Sequence, residues 1–328
     1  MYLALRIALA RVGILPSLVF SLSAFRLVAG IVTYWVTAKT PQKSYQAMIR
    51  LFCSTRGRSN DFLSAIITLF RPNPAAGQVE GVIGSLDRSR IAQIEKQLEE
   101  MGYYVFEQRL SEQTCARILE YSLNKKALIR CGDGIPKNYV RGSPQGIRYD
   151  FDRGQLLEDQ EILKLTQDPA LRAIAGAYLK ARPILDTVEM WWHTNFASEP
   201  DAEAAQLFHF DMDRIKWLKF FFYITDVGPE NGPHCFVSGS HRTGGIPDAL
   251  LRQGYARITD DEVLKHYPRE RIIEFTAPRG TIIAEDTRGL HKGKHVHAGD
   301  RLVFQIQFTN SGFAGAVPQP LEKINVQS

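Results

Sequence analysis

The spacing of apolar positions predicts helices in the middle of the chain. Ile91, Ile94 and Leu98 recur at helical spacing, which predicts a helix over residues 85–102 that ends at Gly102. Two further segments show the same pattern, residues 111–126 and 168–179. Helices therefore occupy much of the chain between residues 85 and 179.

The pattern changes after Pro183, where short runs rich in β-branched and aromatic residues are separated by Gly, Pro, Asn and Asp. Seven runs have this character: ILDTVEMWWHTNF, QLFHFDMD, KWLKFFFYITDV, HCFVSGSH, RIIEFTA, GTIIAED and RLVFQIQFTN. Helices followed by about seven strands favour a mainly β fold with flanking helices, either a β-sandwich or a jelly roll.

The first 80 residues form an apolar, basic extension. Residues 12–38 carry one charge, Arg26. Four interpretations stay open: a shallow membrane anchor, an imperfect transmembrane helix, a targeting peptide, and an apolar helix packed on the body. The segment RPNPAAGQVEG, residues 71–81, reads as a linker. We therefore expect two regions, an extension over 1–80 and a body over 81–328.

The net charge of +5 comes from the extension. Residues 1–60 contain eight basic and no acidic residues, whereas the rest of the chain carries 32 basic against 35 acidic residues. A slightly acidic body argues against nucleic acid as a partner. The four scattered cysteines indicate neither a disulfide framework nor a zinc site. We expect a cytoplasmic protein, or one attached to a membrane and facing the cytoplasm, with organellar targeting left open.

Candidate metal ligands occur in the run QLFHFDMD. His209 and Asp211 are two residues apart, so a strand directs both side chains to one face. A non-haem Fe(II) site needs two histidines and one carboxylate, with open positions opposite them. The pair alone is a weak motif, because an acid two residues after a histidine is common by chance.

Alternatives exist for each member of the predicted site. Asp213 has the same parity as Asp211, and His295 and His297 compete with His291. His241, in the Gly-Ser-His turn, is expected to be structural.

Several motifs in order resemble the phytanoyl-CoA dioxygenase family of Fe(II)/2-oxoglutarate oxygenases. They are His209-x-Asp211, the strand FFFYITDV, the turn NGPHCFVSGSH, His291 after a strand, and Arg301 ten residues later. The resemblance covers about residues 85–312 and is strongest over 206–312. It implies a double-stranded β-helix, which is a cupin-like jelly roll.

The resemblance also implies a role for each of these residues. His209, Asp211 and His291 would bind iron, and Arg301 would bind the distal carboxylate of 2-oxoglutarate. A planar guanidinium suits a buried carboxylate, since it forms two parallel hydrogen bonds. The retained Asp211 argues against halogenation, because halogenases of similar architecture have a small residue at that position.

Three weaker candidates lie near these motifs. Met190 and Trp192 lie on the strand before His209, which lines the cosubstrate pocket in the family, although a core role is open for the tryptophans Trp191 and Trp192. Lys219 interrupts an apolar run and faces either the pocket or solvent. The polar group Arg148, Tyr149 and Asp150 either contacts substrate or forms a salt-bridged loop.

The sequence thus predicts a 2-oxoglutarate-dependent dioxygenase that uses Fe(II), 2-oxoglutarate and O2. We expect it to hydroxylate an aliphatic C–H bond of a small or lipid-like molecule, with release of succinate and CO2. The apolar, basic residues 1–70 motivate the lipid-like substrate and contact with a membrane surface. The alternative is a non-catalytic, membrane-attached β-helix module that binds a small ligand.

Overall fold

A computed structural model describes residues 14–74, 77–253 and 257–313, with side chains from residue 18 onward. The predicted extension is therefore seen from residue 14. The parts of the two predicted regions that fall on residues 1–13 and 314–328 lie outside the described residues.

Helices form most of the chain before residue 180. In order they are α1 (Ile14–Thr37), α2 (Gln42–Thr55), α3 (Arg58–Phe70), α4 (Arg88–Met101), α5 (Glu112–Asn124), α6 (Arg153–Glu158), α7 (Gln160–Thr166) and α8 (Pro169–Leu179). Two short helices follow later in the chain, α9 (Asp248–Leu251) and α10 (Asp260–Leu264). The predicted helices over 85–102, 111–126 and 168–179 correspond to α4, α5 and α8.

Local capping explains where these three helices begin and end. The side chain of Asp87 accepts a hydrogen bond from the backbone N–H of Arg90 at 2.7 Å, and α4 ends at Gly102 in the left-handed region. Ser111 caps α5, and Asp168 caps α8 with Pro169 in the first turn.

The strands, in chain order, are β1 (Val79–Gly81), β2 (Gly84–Leu86), β3 (Tyr103–Val105), β4 (Lys126–Ile129), β5 (Lys137–Asn138), β6 (Arg148–Asp150), β7 (Ile184–Thr194), β8 (Trp217–Tyr223), β9 (His234–Val237), β10 (Ile272–Phe275), β11 (Ile282–Glu285), β12 (His291–Gly293) and β13 (Asp300–Thr309). An eight-stranded antiparallel sheet has the order β3-β11-β8-β13-β7-β6-β4-β5, and a three-stranded sheet has the order β10-β9-β12. Strands β1 and β2 pair separately as a hairpin.

The two main sheets pack face to face between two layers of helices. Phe221 and Tyr223 of β8 contact Phe236 and Phe275 of the small sheet in one apolar cluster. The other face of the large sheet packs on α4, α5 and α8, and the other face of the small sheet packs on α2 and α9. The chain is therefore a mixed α and β protein, richer in helix than the mainly β class predicted from the sequence.

Helices α2 and α3 are joined to the body by buried contacts. Phe52 of α2 stacks on Phe210, with ring centroids 5.8 Å apart. In α3, Asn60 donates to the backbone carbonyl of Ile215 at 3.0 Å, and Ser64 accepts from Asn310 at 2.9 Å. Buried polar groups need such partners, so these bonds fix α3 in one position on the body.

Helix α1 is the one helix among residues 14–74, 77–253 and 257–313 that is long and apolar enough to cross a membrane, by length and composition alone. Buried core helices and signal sequences meet the same criterion. Gly30 allows α1 to approach α2 closely, because a Cβ at this position would lie 2.2 Å from the side chain of Ser44.

The packing of α2 gives a stability prediction. Phe52→Ala should lower the free energy of unfolding by about 3–5 kcal/mol, because it removes a buried ring from the core. Trp35→Ala, at a mostly exposed aromatic residue, should cost less than about 1 kcal/mol. Chemical denaturation of the two variants measures the difference, and equal effects would show that α2 does not stabilise the body.

Candidate metal centre

Backbone pairing brings the two predicted histidines side by side. The N–H of His209 donates to the carbonyl of His291 at 3.0 Å, and the N–H of His291 donates back at 2.8 Å. The N–H of Asp211 donates to the carbonyl of Thr287 at 2.8 Å. The predicted regular strand over QLFHFDMD is wrong, because this segment is extended but paired only at isolated bridges.

The three predicted ligands form one cluster of buried side chains. One ligand atom from each of His209, Asp211 and His291 lies within 4.8 Å of the others. The Nε2 atoms of His209 and His291 lie 3.8 and 3.5 Å from the carboxylate of Asp211. Such a spacing allows all three atoms to bind one ion.

Backbone carbonyls orient both imidazole rings. The Nδ1 of His209 lies 2.9 Å from the carbonyl oxygen of Leu207, and that of His291 lies 2.9 Å from the carbonyl oxygen of Gly289. A proton on each Nδ1 donates to the carbonyl and leaves Nε2 as the lone-pair atom. Outer hydrogen bonds of this kind fix the tautomer and ring orientation of metal-binding histidines.

The electrostatics of the cluster suit a cation. Burial holds the pKa of His209 well below its usual value, and burial lowers the pKa of His291 to about 4. Both rings are therefore neutral at pH 7. Burial alone would raise the pKa of Asp211, but Lys219 and the two histidines lower it, so the carboxylate is ionised. Two neutral imidazoles and one carboxylate are the protonation states in which these groups bind metal.

Lys219 is buried beside the cluster, so the solvent-facing alternative is wrong. Its Nζ donates to Asp211 at 2.6 Å and lies 3.4 Å from Asp213. Burial alone would lower the pKa of Lys219, but the two carboxylates raise it, and the ammonium stays charged. Lys219 thus fixes the orientation of the Asp211 carboxylate.

Asp213 lies outside the three-residue cluster. Burial raises the pKa of Asp213 to about 6, with Lys219 opposing the shift and Asp211 adding to it. Its nearest ion-pair contact is Lys219, and among the described residues Asp211 is the acid grouped with the two histidines. The structure therefore favours Asp211 over Asp213 as the acidic ligand.

Arg301 is a buried cation that forms no ion pair with an acid among the described residues. It lies on β13 opposite His193 of β7, and its Nη2 donates to the Nδ1 of His193 at 2.8 Å. Its Nη1 donates to the carbonyl of Gly232, and its Nε has no partner. In the part of the chain that the structure describes, no Asp or Glu forms an ion pair with this guanidinium. Burial lowers the pKa of Arg301, and the nearby Tyr223 opposes the shift.

Arg301 lies close to the strand that carries His291. A Cβ placed on Gly293 would lie 2.8 Å from Nη2 of Arg301, and Gly293 follows His291 by two residues on β12. Residues two apart on a strand face the same side. A buried guanidinium that has no acidic partner among the described residues and lies close to the strand of His291 fits a cosubstrate that carries a carboxylate at each end.

Two residues predicted to bind the cosubstrate lie elsewhere, so that prediction is corrected. Met190 and Trp192 are buried on the face of the large sheet that packs on the helices. The ring of Trp192 contacts that of Tyr139, with centroids 4.7 Å apart. The residues of β7 on the face of Arg301 are Trp191 and His193. Trp192 is thus a core residue, as the alternative interpretation stated.

Sequence reasoning missed a buried pair behind the cluster. The Nε2 of His234 lies 2.9 Å from the carboxylate of Glu285, and its ring centroid is 5.7 Å from that of His291. Burial lowers the pKa of His234 to about 3 and raises that of Glu285 well above its usual value. His234 lies within the motif NGPHCFVSGSH, but no spacing rule connects it to Glu285.

The remaining candidates do not join the cluster. His295 lies 3.4 Å from Gln206, with its ring 4.9 Å from that of His297. Arg148 is paired with Asp150 at 2.7 Å and lies over the ring of Trp191 at 4.3 Å. Residues 148–150 form a short strand rather than a loop, but the predicted salt bridge is present.

His241 is buried near Phe236 and has a structural position, which gives a pH prediction. Burial lowers the pKa of His241 from 6.5 to about 4. As the pH falls, the unfolded chain therefore binds this proton before the folded protein does. The contribution of His241 to stability is complete above pH 6.5 and is lost between pH 6.5 and about 4.

The variant His241→Gln removes this titration. Its free energy of unfolding should fall less steeply than that of the wild type between pH 6.5 and 4. Urea denaturation at a series of pH values measures both slopes. Parallel curves would contradict the assignment of a depressed pKa to His241.

The fold and the cluster together define a class. Two neutral imidazoles and one carboxylate, with a buried arginine nearby, constitute the site of a mononuclear non-haem iron(II) oxygenase. The family model described as "Phytanoyl-CoA dioxygenase (PhyH)" matches residues 98–301, and the chain belongs to this family. It is a 2-oxoglutarate-dependent dioxygenase family enzyme whose cofactors are Fe and 2-oxoglutarate, and the family implies a small-molecule substrate. The family predicted from the sequence is confirmed.

Solved structures that align with the chain have low sequence identity. The epimerase SnoN in complex with Fe3+, alpha ketoglutarate and nogalamycin RO is 16% identical, with a TM-score of 0.48 over 70% of this chain and 88% of that chain. EctD from S. alaskensis with bound Fe is 16% identical, with a TM-score of 0.47 over 76% and 90%. EvdO2 from Micromonospora carbonacea var. aurantiaca is 17% identical, with a TM-score of 0.48 over 73% and 97%. A search of curated proteins found no match.

Proposed function

We propose that the protein hydroxylates an aliphatic C–H bond of a small, lipid-like molecule and releases succinate and CO2. The observation that carries the proposal is the buried guanidinium of Arg301, which has no acidic partner among the described residues and lies close to the strand that bears His291. A site built to bind a dicarboxylate accounts for this charge.

The protein's part in the reaction is to bind and to orient. His209, Asp211 and His291 would hold the ion through Nε2, a carboxylate oxygen and Nε2. Bound Fe(II) and 2-oxoglutarate would supply the chemistry by which O2, the oxidant, attacks an unactivated C–H bond, with one oxygen atom entering the substrate and the other entering succinate as CO2 is released. Lys219 holds the Asp211 carboxylate in place through its 2.6 Å hydrogen bond.

Arg301 would bind the far carboxylate of 2-oxoglutarate. Because His193 accepts from Nη2, the guanidinium is held in one plane while its Nε remains free to donate. The neighbouring apolar residues Phe221, Phe236 and Val303 are buried between the sheets and keep water out of this region. A dry site strengthens each of these electrostatic contacts.

The presence of Asp211 favours hydroxylation over halogenation. Its carboxylate occupies the position that would have to be vacant for a halide ion to bind. The same carboxylate is buried and is held in place by Lys219, whose Nζ lies 2.6 Å from it. We therefore expect one oxygen atom to be added to the substrate.

The lipid-like character of the substrate is supported by α1, whose large apolar side chains are mostly exposed. The first 60 residues contain eight basic residues and no acid, and basic segments are attracted to anionic membrane surfaces. Helix α2 connects this region to the site, because Phe52 packs on Phe210, the residue between the two ligands of the His209-x-Asp211 pair.

The proposal is tested with the full chain loaded with Fe(II) under 2-oxoglutarate and oxygen. Membrane lipid extracts and water-soluble metabolite extracts are compared by succinate release, with Asp211→Ala as the inactive control. We expect the lipid extract to stimulate release and to yield a product heavier by one oxygen atom. Stimulation by water-soluble extracts alone would overturn the lipid-like substrate, and a product without added oxygen would overturn hydroxylation.

A further inference from the structure

Helices α1 and α3 expose many large apolar side chains. On α1, Val36 is 82% exposed, Trp35 72% and Phe25 70%. The ring of Trp35 contacts that of Phe70 of α3 at 6.3 Å between centroids, which joins the two helices. We call this surface the apolar face, and its members are Leu18, Val19, Phe20, Leu22, Phe25, Val28, Val32, Trp35, Val36, Phe62, Leu69 and Phe70. A patch of this size on a folded protein marks an interaction site.

The opposite side of α1 is fixed to the protein. Ser23, Leu27 and Gly30 are buried, and the ring of Tyr34 packs edge-on against Phe313 with centroids 5.9 Å apart. A helix that packs on the body along this length cannot cross a bilayer unless the body enters it as well. In this arrangement α1 presents its flank to a partner and lies parallel to the surface that it contacts.

The charges beside the apolar face are mostly basic, and Asp61, the acid next to Phe62 on α3, is paired with Arg288 at 3.2 Å. Four exposed basic side chains without ion pairs among the described residues lie on α2 or next to α1 and α3: Lys39, Lys43, Arg50 and Arg58. The first 60 residues contain no acid that would oppose them. A second copy of this chain seated on the same face would bring like charges together, whereas anionic lipid headgroups would complement them.

We propose that α1 and α3 bind the surface of a bilayer that contains anionic lipids. The apolar face enters the boundary between headgroups and acyl chains, to a depth of about 5–10 Å, and the basic side chains contact the headgroups. Through α2 the docked helices hold the metal-binding segment at a fixed position relative to the membrane. Binding itself does not depend on catalysis, but delivery of a lipid-like substrate rests on the proposed function.

Cosedimentation of the full chain with vesicles tests the docking surface. Vesicles of phosphatidylcholine alone are compared with vesicles in which one lipid in four is phosphatidylserine. We expect strong binding to the anionic vesicles, weak binding to the neutral ones, and weaker binding at high salt because exposed charges are screened. Lys43→Glu should lower the partition coefficient by about fivefold or more, since each basic residue contributes on this scale.

Matched variants locate the contact. Phe25→Glu and Val36→Glu should each lower binding by about tenfold or more, because a carboxylate must then leave water. Val140→Glu, at a 60% exposed valine of the body, should leave binding unchanged. Circular dichroism and iron-dependent succinate release in lipid-free buffer should be the same for all three variants, which separates loss of docking from loss of fold or activity.

Three results would overturn the proposal. One is equal binding of the wild type, Val36→Glu and Val140→Glu. Another is no binding of the full chain to either kind of vesicle, which would mean that something else covers the face. The last is a dimer in lipid-free buffer that Val36→Glu dissociates, which would assign the face to a second copy. Each leaves the 2-oxoglutarate assay unaffected, so the proposed chemistry is judged separately.

Discussion

The variant His209→Ala should lose iron-dependent succinate formation by more than the 10- to 100-fold typical of changes in groups that only orient a ligand. The reason is that Nε2 of His209 is one of three atoms that converge on one position. The rate of succinate formation is measured as a function of 2-oxoglutarate concentration at saturating Fe(II). The iron content of the same samples is measured as well. Succinate formation and iron content should fall together.

The control for this variant is His295→Ala. His295 is also buried, but it contacts Gln206 and lies outside the three-residue cluster. It should retain iron and most of the succinate formation. An unchanged rate in His209→Ala, or an equal loss in His295→Ala, would contradict the assignment of the metal ligands.

Arg301→Ala should raise the KM for 2-oxoglutarate and leave iron affinity nearly unchanged. Removing one member of a buried charge pair costs about 2–5 kcal/mol, which corresponds to about 30-fold or more in KM. Arg301 is not among the three residues of the predicted metal site, so its removal should not weaken iron binding. Steady-state kinetics and anaerobic iron titration measure the two effects separately.

Arg301→Lys gives a graded comparison. A lysine keeps the charge but lacks the planar fork and the Nε donor, so the KM should fall between those of the wild type and Arg301→Ala. Equal loss of iron binding and 2-oxoglutarate use in Arg301→Ala would show that the residue supports the fold and does not hold the cosubstrate.

The order of motifs along the chain was sufficient to predict the family and to bring His209, Asp211 and His291 into one hypothesis. Phe210, between His209 and Asp211, packs on Phe52. The helices α4, α5 and α8 were predictable because each combines an apolar stripe with a recognisable cap. These features depend on local spacing, which a sequence contains directly.

Other features depend on register between distant strands. Met190, Trp191 and Trp192 are all apolar and buried, so no alternation of polar and apolar residues shows which of them faces the site. The pairing of β7 with β13 determines which residue faces the site. Arg301 lies opposite His193, so the neighbouring Trp192 points to the other face of the sheet. The same limit applies to His234 and Glu285, which are neighbours only because β9 lies over β11.

The extension illustrates a different limit. Composition alone left a membrane anchor, a spanning helix, a targeting peptide and a packed helix open. The structure shows that one side of α1 packs on the protein while the other is exposed. A helix that binds a membrane and a helix that packs on the protein can have the same hydrophobic composition. The packed side of α1 is identified by the close approach of Gly30 to Ser44, which the spacing of residues along the chain does not reveal. The division near residue 80 and the cellular location stay predictions.

Anaerobic titration of the iron-free wild type with Fe(II) and then with 2-oxoglutarate tests the central claim most directly. The account predicts one iron per chain and a visible absorption band that appears when 2-oxoglutarate is added, and it predicts that Arg301→Ala binds the same iron but needs much more 2-oxoglutarate to produce the band. Iron binding without any band in the wild type, or a band of equal strength at equal 2-oxoglutarate in Arg301→Ala, would contradict it.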